Sequence, residues 1–274
     1  MLRLESISKT FNPGTANETL AIDNLSLSLR KGEFVVVIGG NGSGKSTTLN
    51  AIAGVFPVDD GKIILENDAT DENDEAMTSE NKKEIELTTL PEYKRAKYLG
   101  RVFQDPMLGT ATDMTIEENL ALALRRGTNR GLRNGVPKSE RDTYREALKQ
   151  LDLGLENRLT NKIGLLSGGQ RQAITLLMAT IKQPKLLLLD EHTAALDPKT
   201  AAKVLELSDK LIRRNNLTTL MVTHNMKDAI QYGDRLIMMD AGRIIFEASG
   251  DEKRALSVKD IIEKFSIVRA VEEY

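Results

Sequence analysis

The sequence predicts an α/β fold with a mostly parallel central sheet and a smaller antiparallel sheet near the N-terminus. Continuous apolar runs, rather than alternating ones, indicate strands that are covered on both faces, as in parallel sheets. Segments with helical spacing of apolar residues lie between these runs, which is typical of α/β proteins. The 274 residues can form a sizeable core, and the hydrophobic and charged fractions, 40% and 28%, are those of an ordinary globular protein.

The elements of this fold can be placed along the chain from the spacing of apolar residues. The acid-rich residues 66–86 predict a solvated loop. Residues 125–145, rich in arginine and glycine, predict a loop between helices that faces solvent or a partner rather than nucleic acid. The accessory antiparallel strands are expected at 2–8, 25–29 and 62–66, the core strands at 34–38, 186–189, 218–222 and 236–239, and the clearest helices at 46–53, 170–182 and 199–214.

Composition argues against several classes of function. The net charge of −2 at pH 7 does not favour general electrostatic binding of nucleic acid. The chain contains no cysteine, hence no disulfide framework and no thiolate metal site, which fits a reducing, cytoplasmic location. The N-terminal residues lack the apolar region of a secretory signal, and no apolar run is long enough to span a bilayer. Any role at a membrane is therefore expected to act through a partner.

The stretch GGNGSGKST follows a predicted strand and opens a predicted helix, as the phosphate-binding pattern G-x-x-x-x-G-K-[ST] requires. Its glycines allow successive backbone N–H groups to face a phosphate, with the helix dipole behind them. Lys45 is expected to reach the β- and γ-phosphates, the Ser46 hydroxyl to bind Mg²⁺, and Thr47 to reach the α-phosphate. A glycine-rich turn without a ligand is the alternative, which the flanking strand and helix disfavour. The residues predicted to contact the nucleotide are Gly39, Asn41, Gly42, Ser43, Gly44, Lys45, Ser46 and Thr47.

A second cluster of functional residues is predicted where the run LLLLDE ends. Asp190 is expected to hold Mg²⁺ as the acidic partner of the phosphate loop. Glu191, which would point to the opposite side of the pleat, is suited to orient or deprotonate the attacking water. Alone, the two carboxylates fit a solvated strand end equally well. The phosphate loop in the same chain favours the catalytic interpretation.

The two histidines of the chain are predicted to differ in role. His224 follows a predicted strand at the same sheet edge as Glu191, where a neutral imidazole could contact the γ-phosphate and hold the catalytic water. A histidine that simply ends a strand is the alternative. His192 is expected to be structural, since it follows Glu191 and faces away.

The stretch LSGGQ contains two local signals that disagree. Ser167 and Gln170 have the spacing of a capping box, which predicts a helix start, yet Gly168 and Gly169 lie in its first turn. Glycine costs about 1 kcal/mol relative to alanine inside a helix. The sequence therefore predicts a functional need for bare backbone at this helix N-terminus.

Together these motifs resemble those of the ATP-binding subunits of ABC transporters, in the same order along the chain. The resemblance covers about 2–247 and includes the phosphate loop, VFQDP around Gln104, LSGGQ, LLLLDE, AALD and His224. It implies a P-loop NTPase core of RecA-like α/β fold with an antiparallel β subdomain and an α-helical signature subdomain inserted at about 105–180. Residues 1–247 would form the ATPase domain, and 248–274 a short C-terminal helical tail.

The resemblance also implies a function. Two copies, or this chain and a homologous subunit, would pair head to tail around two Mg-ATP. Ser167, Gly168, Gly169 and Gln170 of each copy would then lie at the γ-phosphate held by the other. Hydrolysis would drive a separate permease at the inner face of the cell membrane, together with an extracytoplasmic solute-binding protein, and import an amino acid or similar small solute.

The same resemblance assigns roles to residues that the local patterns leave open. Gln104 would sense Mg²⁺ and water, and 105–114 would face the permease. Asp197 would cross the dimer interface, and Phe11 would stack on adenine in place of the more usual tyrosine. DEHT in place of the commoner DEPT is expected to alter the turn after Glu191, because the fixed φ of proline is lost.

Two other functions are weighed against transport. A non-transport ABC ATPase would act on a soluble macromolecular partner, but such relatives usually carry coiled-coil insertions, zinc motifs or tandem ATPase domains, which this sequence lacks. A catalytically inactive subunit would bind ATP structurally, but Glu191, His224 and LSGGQ are intact.

Overall fold

The computed structural model describes residues 1–66, 84–128 and 135–272. The chain divides into two compact units: the first contains Met1–Arg95 and Thr218–Tyr274, and the second contains Ala96–Leu217. In chain order the elements are β1 (Leu2–Phe11), β2 (Thr19–Leu29), β3 (Phe34–Gly39), α1 (Lys45–Ala53), β4 (Asp60–Glu66), β5 (Glu84–Glu86), α2 (Glu92–Arg95), β6 (Leu99–Val102), α3 (Ile116–Leu124), α4 (Arg141–Lys149), α5 (Gly168–Thr180), β7 (Leu186–Asp190), α6 (Pro198–Arg214), β8 (Thr219–Val222), α7 (Met226–Gln231), β9 (Arg235–Asp240), β10 (Arg243–Ser249), α8 (Gly250–Ala255) and α9 (Val258–Glu272).

The first unit contains the antiparallel sheet that the sequence predicts. β1 pairs with β2 on one side and with β4 on the other, and β5 extends the sheet, giving the order β2–β1–β4–β5. Leu4 and Ile63 are opposite one another in the register, and both are buried. β1 continues to Phe11 rather than ending at residue 8, because its pairing with β2 continues to the Phe11–Thr19 position.

Parallel strands form the second sheet region of the first unit. β3 is parallel to both of its neighbours, β8 and β9, and its valines are buried, as the continuous apolar run predicts. β10, which pairs with β9 in a hairpin, is not predicted by the sequence pattern. The turn residues Ala241 and Gly242 have φ of 44° and 79°, as a two-residue hairpin turn requires. Ala-Gly lacks the asparagine or aspartate that usually signals such a turn.

A buried arginine fixes the far end of the helix that follows the phosphate loop. The Arg95 guanidinium donates to the carbonyl oxygens of Ala51 and Ile52, at 2.7 and 2.9 Å, in the last turn of α1. Burial lowers the pKa of Arg95 to about 10, so the group remains cationic at neutral pH. A cation at a helix C-terminus is stabilised by the helix dipole.

The second unit combines the parallel pair β6 and β7 with the helices α3 to α6. The predicted loop over 125–145 is wrong at its C-terminal end, since α4 begins at Arg141. The reason is an apolar stripe at Tyr144, Ala147 and Leu148, with helical spacing, that is buried. Arg141 also donates to both carboxylate oxygens of the buried Glu117, at 2.7 Å each.

Parts of two sequence predictions cannot be compared with the structure. Residues 129–134 of the arginine-rich segment and 67–83 of the acidic segment lie outside the described residues, whereas the end of the acidic segment forms β5. Among the helices of the described ranges, none has the length and hydropathy required to cross a membrane.

Candidate functional site

The phosphate-loop motif lies between β3 and α1, in the context that the sequence predicts. β3 ends at Gly39, the chain turns, and α1 begins at Lys45 with Gly44 as its N-cap residue at φ 92°. A Cβ atom at Gly44 would lie 2.5 Å from the carbonyl oxygen of Ala21, so both the backbone conformation and the space demand glycine. Gly44 has no side chain that could cap this helix start. Its backbone N–H groups are therefore suited to an anionic ligand.

Lys45 lies inside the loop rather than in solvent. Its side chain is buried, and Nζ donates to the carbonyl oxygens of Gly39 and Gly40, each at 2.8 Å. Ser46 is exposed and Thr47 is half-buried in the first turn of α1. The remaining residues predicted for this loop lie in the turn itself: Asn41 and Gly42 are exposed, and Ser43 is buried.

His224 lies at the same sheet edge as the phosphate loop. β3 and β8 are parallel neighbours, so the residues that follow their carboxyl ends are brought together. His224 is exposed and lines a cleft of about 280 Å³ with Gly39, Gly40 and Met226. Asp228, on α7, has its pKa raised by burial, and this rise is opposed by the charge of His224.

The C-terminal tail contributes to this cleft, which the sequence does not predict. Ile262 and Phe265 of α9 are among its lining residues, so the tail lies beside His224 and the start of the phosphate loop. The apolar residues of 258–272 indicate an ordinary amphipathic helix and contain no signal for the surface that the helix covers.

Phe11, predicted to stack on adenine, contacts a second aromatic residue that the sequence did not single out. Its ring meets that of Phe56 edge to face, with centroids 5.1 Å apart and an interplanar angle of 84°. The Lys9 ammonium lies 5.8 Å from both ring centroids. The first unit thus presents an aromatic pair with a nearby cation.

In the second unit, Gln104 and Asp190 lie at one sheet edge. Gln104 comes shortly after the end of β6 and is exposed. Asp190 is the last residue of β7, which is parallel to β6, and it is half-buried. Arg101 Nη2 lies 3.9 Å from Asp190 Oδ2, and its guanidinium lies 4.5 Å from the Phe103 ring centroid. The carboxylate that is predicted to hold a cation therefore has a positive group close by.

The predicted orientation of Glu191 rests on an assumption that is wrong. β7 ends at Asp190, so the alternation of a pleated strand does not extend to Glu191. Glu191 has φ 44°, in the left-handed region, and its carbonyl oxygen accepts from Ala194 N–H at 2.9 Å. A non-glycine residue in this region costs roughly 1–2 kcal/mol, and such strain concentrates at functional sites.

The structural role predicted for His192 agrees with its surroundings. Its Nε2 lies 2.9 Å from Ser208 Oγ, and Ser208 in turn donates to the carbonyl oxygen of Val204 at 2.8 Å. Because the Ser208 proton is used in that bond, Nε2 of His192 is the donor to Ser208. Burial lowers the pKa of His192 to about 4, so the ring is neutral at physiological pH.

The LSGGQ stretch forms the capping box that its spacing predicts. Ser167 Oγ accepts from Gln170 N–H at 3.3 Å, and Gln170 Oε1 accepts from Ser167 N–H at 3.2 Å. A Cβ atom at the buried Gly169 would overlap Cγ2 of Thr200, so close packing of α5 on α6 already requires this glycine. Gly168 is exposed, with only Leu196 Cδ2 near its missing side chain, at 3.3 Å. Of the two glycines, Gly168 is the one that packing does not explain.

Asp197 stands next to this packed contact. Its Oδ1 accepts from Thr200 N–H at 3.1 Å and caps α6, with Pro198 in the first turn. Hydrogen bonds from Thr200 lower the pKa of the Asp197 carboxyl. In this chain the AALD and LSGGQ stretches therefore meet at Thr200.

Comparison with known proteins agrees with the fold and the motifs. The family described as ABC transporter matches residues 22–194. The chain is 44% identical over 265 residues to a tyrosine transport ATP-binding protein of Clostridioides difficile, covering 97% of this chain and 98% of that protein. It is 34% identical to the methionine import ATP-binding protein MetN of Rhizobium johnstonii, covering 90% of this chain but 60% of that protein.

Among solved structures, the chain resembles the dimeric post-hydrolysis state of the ATP-binding cassette MJ0796 bound to ADP and Pi. The TM-score is 0.70 at 29% identity, covering 91% of this chain and 98% of that one. The chain therefore belongs to the ABC transporter family and is an ATP-binding subunit that hydrolyses ATP.

Proposed function

We propose that this subunit dimerises around two Mg-ATP and couples hydrolysis to a separate membrane permease that imports an amino acid. The observation that carries the proposal is the loop before α1, where space and backbone conformation demand glycine at position 44 and the buried Lys45 ammonium donates to two carbonyl oxygens of the loop. We assign 1–247 to the ATPase domain, with the signature lobe at about 105–180, and 248–274 to its tail.

The nucleotide is proposed to lie on the phosphate loop, with Lys45 at the β- and γ-phosphates and Thr47 at the α-phosphate. Lys45 binds carbonyl oxygens of its own loop, so it would exchange them for phosphate oxygens when ATP binds. Phe11 is proposed to stack on adenine, with Phe56 supporting its ring.

Magnesium would be held by Ser46, Gln104 and Asp190 together with phosphate oxygens. A hydroxyl, an amide oxygen and a carboxylate form the hard oxygen set that Mg²⁺ prefers. When bound, the ion would neutralise charge on the phosphates.

Catalysis is proposed to rest on Glu191 and His224. Glu191 would orient and deprotonate the water that attacks the γ-phosphate, from a left-handed position directly after the end of β7. His224 would contact the γ-phosphate from the cleft that it shares with Gly39 and Gly40.

The second half of each site is proposed to come from the partner copy. The exposed Gly168 would let the N-terminus of α5 approach a γ-phosphate, and Ser167 would exchange its capping bond for a phosphate contact. Gln170 and Asp197 would complete this face. The likeness to a cassette solved as a dimer supports the pairing.

A permease partner is supported by exposed apolar side chains between β6 and α3. Met107 and Leu108 are 50% and 71% exposed, and Met114 is 41% exposed, although all three are large and apolar. Exposed apolar clusters of this kind mark protein interfaces. We propose that they face the permease at the inner side of the membrane, with an extracytoplasmic solute-binding protein in the complex. Tyrosine is the first solute to test, given the relative that is 44% identical.

Analytical ultracentrifugation tests the dimer. In Glu191→Gln, ATP binding is expected to persist, and ATP with Mg²⁺ should shift the protein from monomer to dimer while turnover falls to background. Glu206→Gln, an exposed acid-to-amide change on α6, is the matched control and should keep wild-type turnover. A Glu191→Gln protein that binds ATP and stays monomeric would contradict the shared-site proposal.

Coupling to transport needs a separate experiment. The tagged chain should co-purify with an integral-membrane protein from detergent extracts of its own host. Deleting its gene should reduce tyrosine uptake by the cells. Recovery of soluble or nucleic-acid-bound partners alone would favour a non-transport ATPase instead.

A further inference from the structure

A buried glutamine on α5, the helix that begins with LSGGQ, is hydrogen-bonded to the backbone of the segment that precedes the exposed Met107. Gln172 of α5 has no exposed surface, and its Nε2 donates to the carbonyl oxygen of Phe103 at 3.3 Å. Phe103 immediately precedes Gln104. The bond therefore joins the helix that begins with LSGGQ to the residue next to the proposed Mg²⁺ sensor.

A second buried amide holds the other end of the same segment. Asn119 of α3 is also fully buried, and its Oδ1 accepts from Ala111 N–H at 2.8 Å. Its Nδ2 donates to the carbonyl oxygens of Ala111 and Thr115, at 3.0 and 2.9 Å. The segment 103–111 is thus fixed at its start to α5 and at its end to α3.

Between these anchors the segment forms a compact turn. Asp105 accepts from Met107 N–H through Oδ1 at 2.8 Å and from Leu108 N–H through its carbonyl oxygen at 3.1 Å. Gly109 packs directly on α5, since a Cβ atom there would lie 2.6 Å from Thr175 Cγ2. The turn therefore rests on α5 at two places, and it exposes Met107 and Leu108 as a unit.

Packing alone does not account for glutamine at position 172. The buried Oε1 of Gln172 has no hydrogen-bond partner among the described residues, which is unfavourable in a protein interior. A methionine of similar size would fill the same space without that penalty. What the amide adds is the single bond to Phe103.

We propose that Gln172 is a positioning residue that transmits displacement of α5 to the Met107–Leu108 turn and to Gln104. When a γ-phosphate draws the N-terminus of α5 toward it, the bond from Gln172 to Phe103 pulls the start of the turn in the same direction. Asn119 holds the other end, so the displacement tilts the exposed apolar pair. The inference rests on the proposed function, because it requires ATP to engage LSGGQ.

Labelling with a single fluorophore tests this proposal, because the chain contains no native cysteine. Leu108→Cys in the Glu191→Gln background is labelled with bimane, and the emission is recorded with and without ATP and Mg²⁺. We expect an emission shift on ATP binding. Adding Gln172→Met should reduce that shift at least threefold, while ATP affinity stays within twofold and dimer formation persists. Gln231→Met, at an exposed glutamine of α7, is the matched control and should leave the shift intact.

An undiminished shift in Gln172→Met would overturn the proposal, and so would an absent shift in a parent protein that forms the dimer. A parent that fails to dimerise would instead refute the proposed function, and the inference with it. Should Gln172→Met not fold, amide hydrogen exchange on the unmutated chain decides. ATP must then change protection of 103–111 together with that of 168–175, and protection that changes in one segment alone contradicts the coupling.

Discussion

Two helix N-termini that both carry glycines, those of α1 and α5, are built in different ways. At α1, Gly44 is the N-cap residue in the left-handed region, and it has no side chain with which to cap the helix. At α5, Ser167 and Gln170 form a complete capping box, and the glycines are part of the helix. The N-cap residue of the first helix has no side chain, whereas the start of the second helix has a reciprocal side-chain cap within the chain.

This difference bears on the order in which the two proposed phosphate sites would bind. The N-cap residue of α1 is a glycine without a side chain, so an anionic ligand can bind this helix start without displacing a cap from that residue. The start of α5 is stable alone, and a ligand must compete with a hydrogen bond worth about 1 kcal/mol. We infer that nucleotide binds the phosphate loop first, and that LSGGQ engages only when a bound γ-phosphate supplies a stronger acceptor.

The largest effect is expected from Lys45→Ala, which removes the cation of the phosphate loop before α1. Loss of two charge-assisted phosphate contacts should weaken ATP binding by at least about 100-fold. Isothermal titration calorimetry measures this directly, with the exposed Lys62→Ala as the matched control. An affinity that survives the change would mean that the backbone of the loop suffices.

The two regions also differ in their histidines, so the dependence of stability on pH provides a second test. His224 is exposed, whereas His192 is buried with a pKa of about 4, below the value of 6.5 for a free histidine. A depressed folded-state pKa contributes stability that is present above pH 6.5 and is lost as the pH falls toward 4. The loss attributable to His192 should approach about 3 kcal/mol at pH 4.

Urea unfolding between pH 7 and pH 4 measures how steeply the free energy of unfolding falls with pH. His192→Gln removes the titrating group, so the free energy of unfolding of that variant should fall less steeply across the range. Gln231→Asn, at an exposed position without a titrating group, is the control and should retain the wild-type slope. Parallel slopes for wild type and His192→Gln would show that His192 is not buried as a neutral ring.

Gly169→Ala tests whether packing explains why the residue at position 169, in the first turn of α5, is a glycine. The added methyl group overlaps Thr200 Cγ2, so we expect a loss of roughly 1–3 kcal/mol in the free energy of unfolding. Thr200→Ser removes that methyl group and should restore stability in the double variant. Gly168→Ala, at an exposed position, should change stability by less than about 1 kcal/mol yet reduce ATP turnover. Failure of Thr200→Ser to restore stability would break the packing explanation.

The smallest effect is expected from Ser167→Ala, which removes the α5 cap. The free energy of unfolding should fall by about 1 kcal/mol. Ser249 provides a matched control, because it is the N-cap residue of α8 without a side-chain capping bond, so Ser249→Ala should be nearly neutral. Equal effects of the two changes in urea unfolding would show that the capping box does not stabilise α5.

Local sequence signals predicted much of the fold and of the candidate site. The valine run at β3, the phosphate loop and the capping box at Ser167 all depend on neighbours a few residues away, and the structure places each as expected. The prediction was less reliable where a local rule was extended by one residue. Glu191 leaves the strand with a positive φ, so the alternation of β7 stops before it.

What the sequence alone determined is the set of chemical groups and their local backbone: the loop before α1, the acid at the end of β7 and the cap of α5. Only the tertiary structure decided that Gly169 is needed by Thr200, that Phe265 of the tail lines the cleft of His224, and that Gln172 is bonded to Phe103. The physical reason is distance along the chain. Capping and strand formation are governed by residues adjacent in the chain, whereas these contacts join residues 31 to 69 positions apart, which no local period encodes.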